Sequence, residues 1–156
     1  MVNVAIIIVE DGRTFYNFMC EEIAAICDDL NADNDGVLDC EFIHLLGDED
    51  IIHAIDDHKN QAIFMIFDIL MTHNNKVYEI DKIVDEIWNA ESYRHIPLIV
   101  FSAYQHELYS DEKRPYAIKI PRGVNDTSIK FRPWDKFDKA VEKVLRQFKE
   151  KARKLS

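Results

Sequence analysis

An α/β domain built on a parallel sheet follows from three features of the chain. Short, wholly apolar runs of strand length recur, stripes of helical period lie between them, and polar residues stand immediately after each run. Residues 4–9 (Val-Ala-Ile-Ile-Ile-Val) lack the polar alternation of a half-exposed strand, so both faces must be covered, as in the centre of a parallel sheet. Residues 62–67 carry no polar side chain and stop at Asp68, and residues 97–101 repeat the pattern before Ser102.

Between the first two runs the period changes. Phe15, Phe18, Met19, Ile23, Ile26, Cys27 and Leu30 fall three and four residues apart, which predicts one apolar helical face, with Thr14 as its N-cap. Residues 31–36 are rich in turn formers, with Asn34, Asp35 and Gly36 the strongest loop signal. Residues 42–46 predict a second strand closed by Gly47, and Ile51, Ile52, Ala54 and Ile55 a short helix ending near His58 and Lys59. Ile80, Ile83, Val84, Ile87 and Trp88 line a helix between the third and fourth strands.

Residues 104–128 are irregular, because Pro115, Pro121 and Gly123 interrupt any long helix. Residues 116–120 offer one short strand. Residues 128–131 are the preferred fifth strand, since an amphipathic helix with Phe137, Val141, Val144, Leu145 and Phe148 on its buried face follows directly. Four alternations of strand and helix call for right-handed crossovers. No internal repeat or linker divides the chain, and a single domain over residues 1–156 is the expectation.

Composition narrows the function classes. A hydrophobic content of 47% with 31% charged residues describes a folded globular protein, and 156 residues suffice to bury a core without staples. Residues 2–9 lack the basic flank and length of a signal peptide or membrane span, so a cytoplasmic location without membrane attachment is expected. Three cysteines, Cys20, Cys27 and Cys40, show no CxxC spacing and suggest neither a disulfide framework nor a zinc site. The net charge of −10 divides into +6 for residues 130–156 and −16 for the remainder. Such a body repels nucleic acid, and Lys149, Lys151, Arg153 and Lys154 read as the solvated end of the last helix, suited to its dipole.

The polar residues gather where ligands bind in open parallel sheets, beyond the carboxyl ends of the strands. Glu10 and Asp11 follow the first strand, Asp68 the third, Ser102 the fourth and Arg132 the fifth. Three convergent carboxylates repel one another unless a divalent cation neutralises them, and hard oxygen donors suit Mg2+.

The order Val9-Glu10-Asp11, Phe67-Asp68-Ile69-Leu70-Met71, Pro97-Leu98-Ile99-Val100-Phe101-Ser102-Ala103 and Phe131-Arg132-Pro133-Trp134 resembles that of response-regulator receiver domains, over nearly the whole chain. The resemblance implies a doubly wound five-stranded parallel sheet in the order 2-1-3-4-5, a CheY-like three-layer sandwich. It implies Asp68 as the phosphoacceptor and Glu10, Asp11 and Asp68 as magnesium ligands, with the Leu70 carbonyl a further one. Ser102 would bind a phosphoryl oxygen, and Arg132 would stand for the usual lysine. The implied partners are a histidine kinase or phosphotransfer protein as donor and a downstream protein reached by contact.

The chain also departs from that pattern. Arg132 is a planar fork, not a point charge, and Lys130, or Lys119 if the fifth strand lies earlier, would substitute for it. Thr72 replaces the usual proline, Ile129 the usual aromatic, and residues 31–41 form an acidic insertion. These departures keep open a pseudo-receiver that binds partners without phosphotransfer. A calcium-loop likeness of Asn31, Asp33, Asp35, Gly36 and Asp39 fails at Phe42, where a bidentate glutamate belongs. Residues 33–38 also resemble the nucleophile motif of haloacid dehalogenase-type phosphatases, with Asp33 leading, but lack the buried strand before it. The six histidines show no metal-ligand pairing, and Tyr104, Tyr109 and Tyr116 offer either an aromatic contact surface or cover for the sheet edge.

Overall fold

The computed structural model describes residues 1–33, 36–47, 51–68, 70–73, 76–79, 81–101, 117–119 and 134–155. Five parallel strands form the main sheet: β1 (Val2–Val9), β2 (Leu38–Leu45), β3 (Ala62–Phe67), β6 (Leu98–Val100) and β7 (Ala117–Lys119). Their order is β2-β1-β3-β6-β7, so the chain moves outward from β1 to β2 and then crosses to the other side of β1. The α/β class and the parallel sheet are as the apolar runs predict. The helices are α1 (Arg13–Asn31), α2 (Ile51–Asp57), α3 (Asp81–Asn89) and α4 (Trp134–Leu155).

Alternate residues of β1 feed two separate cores. Val4, Ile6 and Ile8 pack with Phe15, Met19 and Ile23 of α1 and Phe137, Val141, Val144 and Leu145 of α4. Ala5, Ile7 and Val9 face Ile51 and Ile55 of α2 and Val84 and Ile87 of α3. Every residue from Val4 to Val9 is fully buried, because a strand covered on both faces leaves no position for a polar side chain.

Several boundaries differ from the sequence expectation. Strand β2 begins at Leu38, four residues earlier than the predicted 42–46, and so absorbs part of the acidic insertion. Asp39 and Glu41 are exposed there while Leu38 is buried, the alternation of an edge strand. Helix α1 starts after Gly12, with no side-chain cap, so Thr14 lies in the first turn and is not the N-cap. An antiparallel hairpin, β4 (Leu70–His73) and β5 (Lys76–Glu79), occupies the stretch after Asp68. The fifth sheet position belongs to Ala117–Lys119, which pairs with β6, whereas the preferred 128–131 lies outside the described residues.

The far end of α1 is tied by two local devices. The Asn31 side chain brackets Leu38, donating to its carbonyl at 2.9 Å and accepting from its N–H at 2.7 Å. Gly36, at φ +73°, takes the left-handed turn into β2 that a residue with a Cβ adopts only under strain. Among the described residues no helix is long and apolar enough to cross a membrane.

Candidate metal centre

The backbone ladder continues one step past the strands and thereby levels the loops. The Asp68 N–H donates to the Val9 carbonyl at 2.9 Å, the Phe101 N–H to Phe67 at 2.9 Å and the Glu10 N–H to Leu45 at 3.2 Å. Glu10 and Asp68 therefore emerge side by side from adjacent strands β1 and β3. One carboxylate oxygen from each of Glu10, Asp11 and Asp68 lies within 4.8 Å of the others. Glu10 is 3% exposed and Asp68 6%, while Asp11 is half-buried.

Glu10 is held by its own turn and by the neighbouring strand. Its carboxylate accepts the Gly12 N–H at 3.1 Å. A Cβ on Gly12 would sit 3.0 Å from that same oxygen, so the glycine is what lets the loop fold back so closely. The Glu10 carbonyl accepts the His44 Nε2–H at 2.6 Å, and the His44 ring stacks on Tyr16 at 3.7 Å between centroids, nearly parallel. Burial, with the adjacent Cys20 thiol, pushes the Tyr16 phenol up to about 12, so it stays protonated under the imidazole.

His44 is the supporting residue that the sequence reading missed. Only the parallel register places it: His44 pairs with Ile8 one step from the end of β2, beside the strand that delivers Glu10.

The opposite side of the carboxyl end is closed by aromatic rings. Phe101, the residue before Ser102, meets Trp134 edge-on at 5.3 Å, and Phe15, Phe18 and Phe137 complete the cluster. Ser102, Lys130 and Arg132 themselves lie outside the described residues. Leu70 opens β4, where its register partner is Glu79.

The donor set is three hard carboxylate oxygens, two of them from nearly buried residues. It fits a divalent cation of the magnesium or manganese kind, which would offset like charges brought close together.

Other candidate residues stand elsewhere. Asp33 follows a helix and pairs with Lys149 at 2.6 Å, at the sheet's amino end, so the strand a dehalogenase-type nucleophile needs is replaced by α1. Asn31 is engaged by Leu38 on both amide atoms, which removes the first ligand of the calcium-loop likeness. Lys149 is no solvated tail residue. It is 8% exposed and donates to the Leu30 carbonyl as well as to Asp33.

The strand order, shared by flavodoxin and CheY, defines a doubly wound, flavodoxin-like α/β fold, and its carboxylate cluster lies at the β1/β3 switch point where such folds bind ligands. No protein-family model matches the chain, and no curated protein does. Among solved structures it is similar to the crystal structure of the Mn(2+)-bound form of response regulator Rcp1. That likeness has 15% sequence identity and a TM-score of 0.49, covering 90% of each chain.

Proposed function

We propose that the chain is a cytoplasmic receiver-like signalling module that accepts a phosphoryl group on Asp68 with Mg2+ and signals by protein contact. The observation that carries this reading is the convergence of Glu10, Asp11 and Asp68 at the switch point of the sheet. Asp68 attacks the phosphorus of a phosphohistidine or a small acyl phosphate in line. The new P–O bond forms as the bond to the imidazole or acetate breaks, and the electron pair leaves with that group.

Such a transfer needs positioning and charge neutralisation more than it needs a base. Glu10, Asp11 and Asp68 would hold a magnesium ion, which would supply that neutralisation. Glu10 is kept in place by Gly12 and His44. Ser102 is assigned the phosphoryl oxygen. For the cation we favour Lys119 over Arg132, because β7 takes the fifth sheet position and Lys119 ends it, opposite Val100 of β6. The phosphodonor would be a histidine kinase or phosphotransfer protein, and the receiver of the signal a downstream protein.

A second reading has one observation in its favour. Leu70 enters a hairpin strand directly after the Asp68 loop, opposite Glu79, and its carbonyl is the further ligand that the family pattern requires. If the ladder holds that carbonyl, the domain is a pseudo-receiver that binds a partner without turnover.

Intact-mass measurement after incubation with magnesium and acetyl phosphate separates the two. The wild type is expected to gain one phosphoryl group and Asp68→Asn none. A wild type that gains nothing and binds no magnesium overturns the phosphoacceptor reading.

A further inference from the structure

Two of the three cysteines meet across the α1–β2 interface. Cys27 lies on the buried face of α1, and Cys40 lies near the start of β2, in register with Val4. Their sulfurs are in hydrogen-bond contact at 2.7 Å. Both elements are fixed independently of the thiols, since Asn31 brackets Leu38 and both faces pack into the same core. The approach is thus imposed by the fold. Cys27 is buried, while Cys40 is half-exposed on the edge strand, which gives a small oxidant a way in.

We propose that Cys27 and Cys40 form a redox modification site, in which hydrogen peroxide converts the facing thiols to a disulfide that ties α1 to β2. The Cys27 thiolate attacks one peroxide oxygen, the O–O bond breaks, and hydroxide leaves, giving a sulfenic acid on Cys27. The Cys40 sulfur then attacks that sulfur. The S–S bond forms, the S–O bond breaks, and the departing hydroxide takes the Cys40 proton as water. The first hydroxide takes the proton that Cys27 had lost, so two thiols and one peroxide give one disulfide and two waters.

The electrostatics of the pair favour this order of events. The hydrogen bond between the two sulfurs, in which either can donate, holds the Cys27 thiol below the ordinary thiol range and, with burial, pushes Cys40 up. Cys20 stands apart from the pair beside Tyr16, where burial raises its thiol.

The cross-link closes the short segment between residues 27 and 40 at the amino end of the sheet, away from the carboxylates. It restricts the unfolded chain more than it alters the native one. The proposal is independent of phosphorylation.

The folded, reduced full-length chain, treated with hydrogen peroxide and then alkylated under denaturing conditions, tests it by intact mass and peptide mapping. The expected product has lost two hydrogens, joins the Cys27 and Cys40 peptides, keeps Cys20 alkylatable and melts several degrees higher. Cys20→Ser is expected to behave as the wild type, and neither Cys27→Ser nor Cys40→Ser to lose the hydrogens. Three alkylatable thiols after treatment, oxygen addition without cross-linking, or a link through Cys20 or to a second chain overturns the proposal.

Discussion

The two ends of the parallel sheet bury charge in opposite ways. At the carboxyl end Glu10 and Asp68, 3% and 6% exposed, are brought together with Asp11, all of one sign. At the amino end Lys149, 8% exposed, is met by the Leu30 carbonyl and by Asp33. These are the buried charged residues among those described, so the contrast is not diluted by others. A buried charge beside its opposite is neutralised inside the fold, whereas carboxylates gathered at neighbouring strand ends make a donor set that a divalent cation can bind. The amino end is a clamp and the carboxyl end is a receptacle.

Magnesium should separate the ends most sharply. At a concentration a hundredfold above its Kd, a cation bound only by the folded state adds about 2.7 kcal/mol to stability. Thermal melts with magnesium and with chelator are expected to differ accordingly for the wild type and hardly at all for Asp68→Asn. Equal melts for both chains in both buffers would remove the distinction between receptacle and clamp.

Lys149→Met tests the clamp. It keeps most of the buried stem but leaves the Leu30 carbonyl without its donor, at a cost of about 2 kcal/mol. Denaturant unfolding reads this directly, and magnesium affinity should not change. The Asp33 pair contributes little of that loss, because the Asp33 side chain is 64% exposed.

His44→Phe is expected to have a smaller effect, at the carboxyl end. The ring would still stack on Tyr16, but the Glu10 carbonyl would lose its donor, lowering stability by about 1 kcal/mol. A merely structural role would stop there. A positioning role predicts weaker magnesium binding as well, measured by titration calorimetry.

The smallest effect concerns the α1–α4 contact between the ends. Burial first, then a hydrogen bond that the protonated Asp138 carboxyl donates to Glu22, and the charges of Glu22 and Asp135, push the Asp138 carboxyl from 3.8 up to about 7. A carboxyl raised in the folded state contributes stability that is complete below its unfolded value and is lost as pH rises through the folded one. Asp138→Asn should therefore melt with the wild type below about pH 4 and rise progressively above it as the pH approaches about 8. Parallel melting curves across that window would place the proton elsewhere.

Much of this arrangement was legible from local pattern. The apolar run ending at Glu10, the run ending at Asp68 and the helical stripe from Phe15 to Leu30 located three elements and the acidic residues that follow them. Where the reading failed, the competing force was tertiary. Asp39 and Glu41 suggested a loop because an edge strand with one covered face carries acidic residues without cost. Residues 70–79 were passed over because a hairpin of two short strands leaves little periodic signal. Ala117–Lys119 ranked below residues 128–131, because a three-residue strand is defined by its partner β6 rather than by its own composition. Lys149 looked like one cation among several at a helix end. Its partners come from the far end of α1, more than a hundred residues away in sequence, and no local pattern reports them.

The sequence by itself determined the class of fold and the identity of the three carboxylates, because burial on both faces forces apolar strands and leaves polar residues only at their ends. Tertiary structure alone decided which of those ends meet. The crossing from β2 over β1 to β3 sets Glu10 and Asp11 beside Asp68, the parallel register brings His44 under Glu10, and the packing of α1 on β2 joins Cys27 to Cys40. Each of these contacts spans a loop whose closure is driven by the two apolar cores rather than by the residues it unites, which is why no reading of neighbouring residues finds it.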